Sequence, residues 1–112
     1  MRNDLAVVSL AAAAVALGAC ASKPENIQPS YVSTVPYESW SCQQLGEEQE
    51  RLSLAYAAAA KQQNTARAND TAGVILLGLP LASMTGHNVA PEVARLKGLQ
   101  DAVSRASILK NC

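Results

Sequence analysis

Three cysteines, at positions 20, 42 and 112, constrain this chain more than any other feature. An odd count in an exported protein asks for one free or modified thiol beside one disulfide. The surroundings of the three differ. Cys20 follows a short apolar run, Cys42 stands where a helix-capping pattern begins, and Cys112 follows a helical stripe.

The first segment has the layout of a secretory signal: Arg2 near the start, partly offset by Asp4, then an apolar-to-small run from Leu5 to Leu17. That run has the length of a signal core, about 7–15 residues, and falls short of the roughly 20 that a spanning helix needs. It ends in Leu17-Gly18-Ala19-Cys20, which resembles the lipobox of bacterial lipoproteins. The chemistry needs a thiol at the cut site to take up a diacylglyceryl group, and small residues before it so that the peptidase reaches the bond. Residues 1–19 are therefore expected to be a removed signal peptide, with cleavage between Ala19 and Cys20 and lipidation of Cys20. The plainer alternative is ordinary cleavage beside an incidental cysteine. Each buried methylene contributes about 0.8 kcal/mol, so two or three acyl chains would hold the mature chain on a membrane. Ala21, rather than an acidic residue, follows the cysteine. By analogy with Gram-negative lipoproteins, this points to the periplasmic face of the outer membrane.

Residues 20–40 are rich in Ser, Pro and Asn, with Pro24, Pro29 and Pro36 among them, and show no helical or strand periodicity. They read as an extended tether carrying the lipid. Tyr31, Tyr37 and Trp40 lie in it, interleaved with Val32 and Val35. Packing onto the following domain is expected ahead of a position at the lipid interface, where amphipathic rings are also favoured.

Residues 41–112 form the expected domain. Ser41-Cys42-Gln43-Gln44 is a capping box, and a helix is predicted over about 41–68. Its apolar stripe is Cys42, Leu45, Leu52, Tyr56, Ala59 and Ala66, with Gln49 and Gln63 filling two polar gaps. A second helix is predicted over about 88–110, with Pro91 in its first turn, where a missing amide does no harm. Val93, Leu96, Leu99, Val103, Ala106 and Leu109 form its stripe. Between the helices, residues 71–86 carry no charge, and Asn69-Asp70 and His87-Asn88 stand as polar collars on either side.

Pairing Cys42 with Cys112, which an oxidising compartment permits, puts the midpoint of the intervening chain at Leu77. That is where Gly78 and Pro80 supply turn chemistry. The predicted fold is thus all-α: an antiparallel two-helix hairpin with an apolar tip, closed by a disulfide at its open end and preceded by the tether and signal peptide. This register sets Leu45 opposite Leu109, Leu52 close to Val103, Ala59 near Leu96, and Tyr56 against Gly98. It also sets Glu47, Glu48 and Glu50 beside Arg105 and Lys110, Lys61 beside Glu92, and Asp70 near His87. Separate thiols, or pairing between chains, are the alternatives to the internal bond.

From Tyr31 onward the sequence resembles an uncharacterised family of short proteobacterial lipoproteins. The matching pieces are Ser41-Cys42-Gln43-Gln44-Leu45, the apolar stretch from Val74 to Ala82 around Pro80, Ala94-Arg95-Leu96-Lys97-Gly98, and Cys112. The resemblance implies this architecture and location and brings no known activity.

Net charge is zero and the basic residues are scattered, so no nucleic-acid partner is expected. No Gly-x-Ser-x-Gly, phosphate-binding loop or His-Glu-x-x-His motif occurs. His87, the sole histidine, has no candidate co-ligands once the other cysteines are paired. Enzyme activity, a metal, a cofactor and a small-molecule substrate are accordingly not expected. Expected partners are membrane lipid, through acylated Cys20, and a protein or second copy through the tip residues Val74, Ile75, Leu76, Leu77, Leu79, Leu81 and Met84. The leading functional expectation is a small structural or protein-interaction module on a bacterial envelope membrane. The alternatives are a peripheral element whose tip enters a bilayer, and an inhibitor or immunity-type lipoprotein of the periplasm.

Overall fold

The computed structural model describes residues 20–112. The signal-peptide expectation, including cleavage after Ala19, lies outside the described residues. The described chain is helical, with one long helix α1 (Cys42–Leu77), a single turn α2 (Leu81–Met84) and a shorter helix α3 (Ala90–Leu109). Two short 3-10 turns, Pro24–Asn26 and Val35–Tyr37, precede them. The body measures 68 × 22 × 18 Å.

Helix α1 starts as the sequence predicts. The Ser41 hydroxyl accepts the Gln44 amide at 3.1 Å, and the Gln44 side chain accepts the Ser41 amide at 2.9 Å. Two of the amides that a helix start leaves unpaired are thereby satisfied.

The predicted end near residue 68 is corrected: α1 runs on to Leu77. Asn69-Asp70 does not break it, because the Asp70 side chain bonds to groups outside the helix rather than to its own backbone, and the competition that ends helices at such residues is absent. Thr71 follows with its hydroxyl donated back to the Arg67 carbonyl. What stops the helix is Gly78, in the left-handed region at φ 72°, where its amide and that of Leu79 close onto the carbonyls of Val74 and Gly73. Glycine takes this conformation without the Cβ penalty, a common helix stop. The first limb of the expected tip is therefore helix, and Pro80 leads into α2.

The core forms where the two stripes meet. Leu45, Leu52 and Ala59 of α1 bury against Val93, Leu96, Val103 and Ala106 of α3, with Ala102 added to the predicted set. Leu109 is corrected: it is 71 % exposed and does not cover Leu45. The chain leaves α3 there, and residues past Leu109 turn to bring Cys112 to Cys42. The disulfide joins them, with Cα atoms 5.5 Å apart.

The expected charge pairing between helices is also corrected. Among the described residues the ion pairs are Glu48–Arg51 and Glu92–Arg95, each within one helix at a spacing of three. Arg105 donates instead to the Val32 carbonyl at 2.7 Å and lies 5.5 Å over the Tyr31 ring. Polar bonds between the elements set their alignment: Gln49 to Ser104, Gln63 to Asn88 and Val89, and Asp70 to Ser83.

Residues 21–40 lie along this body. The Ser30 amide donates to the Ala94 carbonyl, and Lys97 donates to the carbonyls of Pro24 and Ile27. Gly98 provides the space for this approach, since a Cβ there would collide with the Ser30 carbonyl and press on Val32. The expected Tyr56 ring does not occupy that gap. Tyr37 is buried and meets Trp40 edge to face, ring centroids 4.9 Å apart.

Candidate functional site

The charge-free stretch and the position of Cys20 come together at one end of the molecule. Asp70, two helical turns before the end of α1, is fully buried. Its carboxylate accepts the Ala21 amide at 2.8 Å, the Ser83 amide at 2.8 Å, and the Ser83 hydroxyl. Burial pushes this carboxyl up, but the hydrogen bonds from Ser83 and from the backbone amides of Ala21 and Ala82 outweigh it and hold it below its ordinary value. Several donors to the charged form favour the ionised carboxylate.

About two turns earlier on α1, Gln63 is also fully buried. Its amide nitrogen donates to the Ser22 carbonyl and to Asn88 Oδ1, both at 3.0 Å, and its oxygen accepts the Val89 amide at 2.7 Å. Asn88 donates in turn to the Ser83 hydroxyl at 3.0 Å. Gln63, Asn88, Ser83 and Asp70 therefore form one connected network, and it fastens Ala21 and Ser22, the residues directly after Cys20. Between the two polar residues, Ala21 buries its methyl against Ala66 and Ala82. Cys20 itself is half-buried beside this cluster.

Beyond the network the surface changes character. Ile75 is 76 % exposed, Leu76 78 % and Met84 63 %, with Leu77, Leu79 and Leu81 also exposed and Val74 half-buried. A shallow groove of about 330 Å³ runs between the end of α1 and α2, floored by Gly73 and Ala82 and walled by Leu76, Leu77 and Leu81. The sole charged residue among positions 68–91 is Asp70, and it is inside. The described chain leaves the predicted tip uncovered.

The expected collar pairing of Asp70 with His87 is corrected. His87 is exposed, its Nδ1 3.0 Å from the Thr85 hydroxyl. Asp70 faces Ser83 and the Ala21 backbone because α2 folds back over the end of α1. Sequence periodicity flags Gln63 only as a gap in a stripe and gives no sign of Ser83 or Ser22 as partners. Among the described residues there is no group of three or more His, Cys, Asp or Glu side chains placed to hold a metal, and no helix is long and apolar enough to cross a membrane. Comparison with protein families, curated proteins and solved structures finds no match.

Proposed function

We propose that this chain is a lipid-anchored lipoprotein of the bacterial envelope, acting as a small structural or protein-interaction module. Its helices are read as an antiparallel hairpin closed at one end by the Cys42–Cys112 bond, in keeping with its resemblance to short proteobacterial lipoproteins. The observation that carries the reading is the fastening of Ala21 and Ser22 by Asp70 and Gln63. A residue acylated at position 20 is then joined to the helical body without slack. Such a molecule holds its surface at a fixed place relative to the bilayer, which suits a module that positions or contacts other envelope components. Ala21 in place of an acidic residue favours the outer membrane, periplasmic face.

Intact mass of the protein from the membrane fraction, with and without reduction, tests this directly. The expected result is loss of residues 1–19, added diacylglyceryl and acyl mass on Cys20, and a gain of two protons on reduction. An unacylated Cys20 removes the anchor and with it the proposed role.

A further inference from the structure

We infer that the apolar tip docks into the same membrane leaflet that receives the acyl chains of Cys20; the inference rests on the lipid-anchored reading above. Four observations bear on the occupant. The lipidation position is pinned at the tip end of the body, through Ala21 to Asp70 and through Ser22 to Gln63. The exposed residues Ile75, Leu76, Leu77 and Leu79 begin just past that pin. Along the axis of α1, Asp70 to Leu77 spans about 10 Å, comparable with the roughly 5–10 Å to which an interfacial apolar face sinks among headgroups and acyl chains. The last feature is charge: between Ala68 and Pro91 the single Asp, Glu, Lys or Arg is Asp70, which is buried and hydrogen-bonded, so lowering the apolar residues into lipid brings no such side chain to hydrocarbon.

A second copy of the chain or a protein partner would also cover an apolar patch. Neither explains why the lipid attachment is fixed against the patch. Acyl chains entering a leaflet at Cys20 bring the tip to that leaflet, whereas a partner would have to compete with it. The tip is too short to cross the bilayer and serves as a second, shallow point of attachment that sets orientation.

Site-directed spin labelling of the full chain tests the placement. Leu76→Cys and Ala57→Cys variants, both at exposed positions of α1, are purified from membranes with the disulfide intact, labelled, and reconstituted into vesicles of phosphatidylethanolamine and phosphatidylglycerol. An acylated Cys20 is a thioether and takes no label, so the label count by intact mass reports the anchor separately. The expected result is a label at position 76 that meets oxygen freely and a water-soluble nickel chelate several-fold less often than the label at 57. Equal nickel access at the two positions, with Cys20 acylated, overturns tip docking and keeps the anchor. Exclusion of both reagents with spin-spin broadening at 76 assigns the tip to a second copy and also overturns it. A membrane-buried label at 76 with Cys20 unacylated supports docking and removes the anchor instead.

Discussion

Asp70 reads in the sequence as part of a polar collar and acts in the fold as a fastener. Its carboxylate gathers donors from two segments remote in sequence, Ala21 and Ser83. Hydrogen bonds to a buried charge are each stronger than neutral ones, and losing the acceptor strands its donors. Replacement by Asn, which accepts at one oxygen only, is expected to cost about 1–3 kcal/mol at neutral pH, read from urea unfolding followed by circular dichroism. The native carboxyl titrates below its unfolded value, so the stability it contributes is complete above the ordinary carboxylate range. It is lost as pH falls through the depressed native value. The unmodified protein should therefore show an acid decline in stability that Asp70→Asn weakens. An identical acid limb in both would mean that Asp70 does not carry it.

At the scale of elements, the packing of residues 21–40 against α3 turns on a single missing side chain. A Cβ on Gly98 collides with the Ser30 carbonyl, whereas one on Gly46, in the exposed start of α1, meets nothing within 4 Å. Gly98→Ala is expected to destabilise by about 1–3 kcal/mol through overpacking. It should also speed hydrogen exchange at the Ser30 amide, which bonds to Ala94. Gly46→Ala should stabilise by about 0.5–1 kcal/mol, the helical preference of Ala over Gly, and leave Ser30 exchange unchanged. Much of α1 and α3 is legible in the sequence because local rules govern it: the Ser41 capping box, the two stripes and Pro91 at a helix start, with Gly78 legible as turn chemistry though not as the end of α1. The cysteine pair is legible from its position at the ends of both stripes. The extension past Asp70, the seat of Ser30 over Gly98 and the bond from Gln63 to Ser22 are not, because each depends on a partner far along the chain that no periodicity encodes. The same holds for the candidate site, whose apolar residues stand out in the sequence while the network placing Cys20 beside them does not.

On the whole-molecule scale, the elongated body has a modest core and fastenings at both ends. The Cys42–Cys112 bond spans a sequence separation of 70 residues, and constraining an unfolded loop of that length stabilises by about 4 kcal/mol in the chain-entropy view. Reduction should lower the urea midpoint accordingly, while a midpoint indifferent to reductant would mean that the covalent link adds little to a self-sufficient core. Helix α1 has 36 residues, and at 1.5 Å per residue that is about 54 Å without a break. If the tip end rests in a leaflet, the disulfide end becomes a platform at a set altitude above it, displaying Tyr31, Val35, Ile108 and Leu109, all exposed. The uninterrupted length of α1 then works as a gauge: adding or removing matched turns in α1 and α3 between the Cys42–Cys112 bond and the Gln63 contacts would change how far from the membrane that platform is offered while keeping both fastenings.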